Sequence, residues 1–130
     1  MVLNHIASLH KKTDRCDQAE TEYSEALSIY RKLAEKNPGI YLSDVANVLD
    51  GLGSLHEDMD HCRVAETEYS EALSIYRKLA EKNPDVYLTD VAEALDSLAG
   101  VHDKLGRADD AEKERQEAAE IRKKMSSDKH

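Results

Sequence analysis

The twenty residues AETEYSEALSIYRKLAEKNP stand at Ala19–Pro38 and again, with no letter changed, at Ala65–Pro84. A chain that restarts itself at an offset of 46 residues must build equivalent supersecondary units, each burying its apolar face on the next. The likeness extends past the identical block. VLNHIASLHKKTDRCDQ (2–18), VLDGLGSLHEDMDHCRV (48–64) and ALDSLAGVHDKLGRADD (94–110) align without gaps, as do YLSDVANVLD (41–50) and YLTDVAEALD (87–96). Three copies, about 1–38, 39–84 and 85–127, therefore make one domain over 1–130, with 128–130 expected as a disordered tail.

Each copy reads as a pair of helices. Ala65, Tyr69, Ala72, Leu73, Tyr76, Leu79 and Ala80 recur at helical spacings and form one apolar stripe. Glu66, Glu68 and Glu71 lie toward its start and Arg77, Lys78 and Lys82 toward its end, the order that the helix dipole favours. Asn83-Pro84 ends it, because proline disfavours a helical residue before it. Val45, Leu49, Leu52, His56 and Met59 form the stripe of the partner helix, with Ser43 and Thr89 expected as N-caps of the first helices. Short turns at MDHC and LGRA close antiparallel hairpins. Helices are predicted near 2–12, 15–36, 43–58, 61–82, 89–104 and 108–126. With two prolines, five glycines, no Trp and no Phe, strand formers are too sparse for a sheet, and the fold class is all-α.

The formal charge of −9 argues against a duplex nucleic-acid binder, whose affinity comes from phosphates neutralised by Lys and Arg, and against anionic membranes. No apolar run approaches the roughly 20 residues of a membrane helix, and MVLNHIASLHKK lacks the pattern of a secretory leader, so the expected compartment is the cytoplasm. Cys16 and Cys62 occupy equivalent places one repeat apart. Packed helix axes stand about 8–10 Å apart, beyond the Cα separation that a disulfide tolerates, so both are expected as free thiols.

Catalytic and metal chemistry find little purchase. His10, His56 and His102 recur in the three copies, but at about one repeat spacing apart they cannot share an ion whose ligands lie about 2 Å away. They are expected as packed, hydrogen-bonded histidines on a helix face. His56, Asp60, His61 and Cys62 crowd into HEDMDHC, yet the equivalent HKKTDRC and HDKLGRA lose the second His and the last also loses the Cys, which marks a surface turn. Phosphate loops, nucleophile elbows and zincin motifs are missing from the sequence. No catalytic residue, metal site or cofactor is assigned, and an enzyme is not expected.

The letters at these positions resemble the tetratricopeptide repeat, whose pattern runs W-x2-L-G-x2-Y, then A-x3-F, A and P. The second copy matches it with Leu49, Leu52, Gly53, His56, Ala65, Tyr69 and Ala72. The first matches with Leu3, Ile6, Ala7, His10, Ala19, Tyr23 and Ala26, and the third with Leu95, Leu98, Ala99, His102, Ala111, Arg115 and Ala118. Gly53 and Ala65 would be small where two helices cross closely, with Tyr69 filling the space beside them. A standard repeat has about 34 residues. The extra length lies at one end of the hairpin, where both helices grow together, as in the long-helix repeats of kinesin light chains. The resemblance implies a right-handed α-solenoid of about three antiparallel helix pairs. In the last copy Tyr69 and Tyr76 are replaced by Arg115 and Arg122, and Leu73 by Ala119, as suits a polar C-terminal cap. The first copy opens inside its first helix, which is expected either in a piece of a longer array or in a chain whose N-terminal end is left open.

The resemblance further implies a noncatalytic protein-interaction module whose first helices line a concave groove. Carried over residue by residue, the groove positions are Asn4, Ser8 and Lys11, then Asn47, Asp50, Ser54, Glu57 and Asp58, then Glu93, Asp96, Gly100, Asp103 and Lys104. The last two copies thus set six carboxylates against one lysine, so the expected partner is a basic or neutral peptide or helix of another protein. The alternative expectation is a structural spacer or sensor segment of a larger array that stacks or self-associates through its N-terminal repeat.

Overall fold

The computed structural model describes residues 16–128, and the expected helix at 2–12, with the groove positions Asn4, Ser8 and Lys11 and the recurring His10, lies outside them. Five helices follow one another: α1 (Cys16–Lys36), α2 (Pro38–Asp58), α3 (Cys62–Lys82), α4 (Pro84–Lys104) and α5 (Ala108–Asp128), with no strand among the described residues. Each helix packs chiefly on the next in the chain, the nearest-neighbour arrangement of an all-α solenoid.

The first helices of the pairs begin earlier than the sequence suggested. Ser43 and Thr89 are not N-caps: α2 and α4 start five residues upstream, at Pro38 and Pro84. The Asn-Pro pair acts as a start as well as a stop. Proline has no N–H to satisfy in a first turn and its φ is already helical, so it sits readily at the head of a helix. Asn37 N–H donates to Leu33 O at 2.9 Å, closing α1, while its own carbonyl accepts from Ile40 and Tyr41 at 3.1 and 3.2 Å, opening α2. Asn83 repeats this between Leu79 and the amides of Val86 and Tyr87. Thr89, now inside α4, turns its hydroxyl to Met125 Sδ at 3.8 Å. At the other end, α5 continues through Asp128 rather than fading before it.

The opposite ends close through three-residue turns. Asp60 and Gly106 adopt positive φ, 62° and 77°, so the chain reverses while the last carbonyls stay bonded. His61 N–H donates to His56 O at 2.7 Å and Asp60 N–H to Glu57 O at 3.1 Å. Arg107 and Gly106 do the same onto His102 and Asp103.

Small residues let the helices approach. Ala19, Ala65 and Ala111, equivalent in the three copies, are each fully buried. A Cβ placed on Gly53 would meet the Tyr69 ring at 2.7 Å, and one on Gly51 would meet the Tyr23 ring at 2.6 Å. Tyr23 of α1 and Tyr69 of α3 thus each rest on a glycine of α2, one from the hairpin before and one from within the hairpin. The larger core runs through α2–α5 around Leu49, Tyr76, Leu95 and Leu98. A smaller one joins α1 to α2 through Tyr23, Val48, Leu52 and Leu55.

Candidate functional site

Asn47, Asp50, Ser54 and Glu57 follow at spacings of three, four and three along α2, so they share one side of that helix. Glu93, Asp96, Gly100 and Asp103 hold the same register on α4. Polar groups of the α2 stripe meet side chains of both α3 and α4. Tyr76 Oη donates to Asn47 Oδ1 at 2.5 Å, and Tyr69 Oη donates to Glu57 Oε1 at 3.1 Å. Lys104 Nζ lies 2.7 Å from Glu57 Oε2, joining α4 to α2.

The expected field of six carboxylates is partly neutralised, which the sequence reading did not anticipate. Where Tyr69 reaches Glu57 in the second copy, Arg115 reaches the equivalent Asp103 in the third, Nη2 to Oδ2 at 2.5 Å. Arg122, in the place of Tyr76, lies 2.6 Å from Asp96 Oδ2. The arginines that read as a solvent-facing cap therefore also return charge to the stripe. Glu57, Asp96 and Asp103 have cationic partners. Ser54 and Gly100 are half-buried, with open space around Gly100 where its equivalent carries a hydroxyl.

What remains negative is a smaller centre that the stripe alone did not reveal. Asp50 is largely buried, and its Oδ1 has no hydrogen-bond partner. Burial first, then the charges of Asp90 and Glu93 on α4, push its carboxyl up to about 7. Asp90 is raised as well, by burial and by Glu93. Burial and the same group of acids raise the hydroxyl of Tyr76, and burial with Glu57 raises that of Tyr69, so both phenols stay neutral donors. Asp90 was missed because it stands a turn before Glu93, at a position the groove register omits. Its proximity to Asp50 comes from how α4 packs beside α2.

Of the recurring histidines, His56 and His102 are buried and hydrogen-bonded, as expected, and His10 lies outside the described residues. His56 Nδ1 lies 2.6 Å from Glu68 and Nε2 2.5 Å from Glu20. His102 repeats this with Glu114 at 2.7 Å and Glu66 at 2.6 Å. On the second helices, Arg31 grips Glu71 with two hydrogen bonds at 2.7 and 3.1 Å, and Arg77 grips Glu117 at 2.6 and 3.1 Å. Both arrangements recur at the 46-residue offset, so they serve the stacking of copies. Cys16 and Cys62 are free thiols, and among the described residues no group of three or more His, Cys, Asp or Glu is placed to hold a metal ion. Among the same residues no helix is long and apolar enough to cross a membrane.

Stacked helix pairs with a polar stripe on the first helix of each define a helical-repeat protein. A tetratricopeptide repeat model matches residues 1–78 and a second model of the same repeat matches 91–130, so the chain belongs to the tetratricopeptide repeat family. Its fold is similar to that in the crystal structure of BtubC (BKLC) from P. vanneervenii, with a TM-score of 0.82 and 26% identity. That match covers 96% of this chain and 47% of BtubC, so the chain spans about half the length of that relative. No curated protein matches the chain.

Proposed function

We propose that the chain is a noncatalytic module that binds a basic or neutral peptide or helix of a partner protein along the stripe of α2 and α4. In this reading Asn47, Asp50, Ser54, Glu57, Glu93, Asp96, Gly100 and Asp103 line the binding face, continued by Asn4 and Ser8 in the first copy. Family membership supports the general role, since these repeats mediate protein–protein contacts. The observation that carries the specific reading is the acidic cluster in which the charges of Asp90 and Glu93 act on Asp50, whose buried Oδ1 has no hydrogen-bond partner. A lysine or arginine from a partner would supply beside Asp90 and Glu93 a cation that none of the described residues is seen to place there, with an affinity that weakens as salt rises. The partner is a protein, and neither nucleic acid nor a membrane surface is expected on so acidic a chain. The test is calorimetric titration with a lysine-rich peptide. Asp50→Lys with Glu93→Lys should abolish binding without loss of helicity, and undiminished affinity in that variant refutes the reading.

A second reading rests on a different observation. Ile29 is 55% exposed and Leu33 36% exposed on α1, whereas their equivalents Ile75 and Leu79 on α3 are partly buried and pack into the core. Those two positions are where a second helix docks on the copy before it, as Ile75 does beside Arg31 and Ala34. Stacking of a further repeat, or of a second copy, on the N-terminal side would cover them, making the domain a structural spacer or sensor segment of a larger array. Light scattering over a concentration series decides it: Ile29→Lys should abolish self-association, and a wild-type monomer at every concentration excludes self-stacking.

A further inference from the structure

A neutral imidazole offers one N–H donor and one acceptor, whereas an ionised carboxylate only accepts. Both ring nitrogens of His56 nevertheless face carboxylate oxygens, Glu68 on one side and Glu20 on the other, and both nitrogens of His102 face Glu114 and Glu66. Without an extra proton, one bond in each triad becomes a contact between two acceptors in a largely buried place. With it, held on the ring or on a carboxyl, both bonds form. Each ring nitrogen reaches a different part of the stack. Nδ1 meets the glutamate twelve residues ahead, on the second helix of its own hairpin, and Nε2 meets the one 36 residues behind, on the preceding second helix.

We propose that Glu20–His56–Glu68 and Glu66–His102–Glu114 are proton-operated clips. Protonated, each ties one first helix to the second helices on both sides of it. Loss of the proton in alkaline solution loosens the stacking of successive copies.

The charged surroundings act in the same direction. Burial of His56 lowers its basicity, but the hydrogen bonds and charges of Glu68 on α3 and Glu20 on α1 outweigh this and raise it. His102 is balanced in the same way by Glu114 on α5 and Glu66 on α3. Burial also pushes the Glu68 carboxyl up, against the lowering effect of His56, so the pair as a whole retains its proton. Two further groups differ between the clips. Arg107 adds a cation on Glu66 at 2.5 Å, while His61, its counterpart, stacks on the His56 ring with centroids 6.2 Å apart. Arg107 keeps Glu66 charge-compensated when its clip opens, so the His56 clip is the more responsive of the two.

The test uses the full chain. Imidazole resonances are followed by NMR from about pH 5 to about pH 9, native and in urea, and thermal unfolding is recorded over the same range. The native His56 and His102 midpoints are expected above the unfolded ones. Glu20→Gln with Glu66→Gln should bring them down, because an amide can donate to Nε2. The wild-type Tm should fall by several degrees between about pH 6.5 and about pH 9, with a smaller fall in His56→Gln with His102→Gln. Native midpoints at or below the unfolded values overturn the proposal, as does an equal fall of Tm in the two proteins. If the double histidine variant does not fold, the wild-type NMR midpoints decide alone.

Discussion

Arg122 on α5 lies 2.6 Å from Asp96 on α4, whereas in the preceding copy its equivalent Tyr76 donates to Asn47, one turn before the equivalent of Asp96. One pair is ionic and half-exposed, the other neutral and partly buried. An arginine in place of the tyrosine exchanges a neutral hydrogen bond for an ion pair without stranding either charge.

That substitution sets the charge of the proposed binding face. Arg115→Ala with Arg122→Ala would leave Asp96 and Asp103 without these cations. A lysine-rich peptide should then bind more tightly at low salt, with the gain fading as salt is added. The stability loss should be slight, because both pairs are exposed. Calorimetric titration checks the first part and urea unfolding the second, and weaker binding in the variant counts against this face.

Asp50 gives a pH signature. Its carboxyl titrates near 7 in the folded chain and at 3.8 in an ordinary environment, so between those values the folded state holds the additional proton. Stability from this group is therefore lost as pH rises from about 4 to about 7. Asp50→Asn should be more stable than the wild type above neutrality, on the order of 1–3 kcal/mol, the usual cost of an unsatisfied buried polar group. The advantage should vanish near pH 4, as read by urea midpoints at the two pH values.

The glycines separate into two kinds. Gly53→Ala drives a Cβ to 2.7 Å from the buried Tyr69 ring and should cost about 1–3 kcal/mol by overpacking. Gly100→Ala meets nothing within 4 Å and lies inside α4, so it should stabilise by up to about 1 kcal/mol. Opposite signs in chemical denaturation are the expected result, and a destabilised Gly100→Ala would contradict the open space beside it.

Asp60 stands in the left-handed region at φ 62°, where the third copy carries Gly106. Asp60→Gly should stabilise the α2–α3 turn by about 0.5–1 kcal/mol, because the side chain is strained there and glycine is not. Differential scanning calorimetry gives the answer directly, with a lowered Tm as the contrary outcome.

The fold was legible because its signals are local and written more than once. Apolar stripes at helical spacing, the Asn-Pro corner and the 46-residue offset together specify helices, hairpins and nearest-neighbour stacking without any long-range information. Ser43 and Thr89 resemble N-caps only where proline is a stop alone, and its missing N–H and fixed φ suit a helix start as well. That Asn47, Asp50, Ser54 and Glu57 share one side of α2, with their equivalents on α4, follows from helical spacing, while their reading as a groove comes from the family resemblance alone. What spacing could not contain is which side chains of different helices meet. The presence of Asp90 beside Asp50, the reach of Arg115 and Arg122 onto Asp103 and Asp96, and the placing of His56 between Glu20 and Glu68 all join residues far apart in the chain. Those contacts depend on the distance and rotation between neighbouring helices, set in part by tyrosine rings resting on glycine. The sequence by itself determined a stack of helix pairs; only the packing of helix on helix decided which charges are paired, which are buried, and where a proton is held.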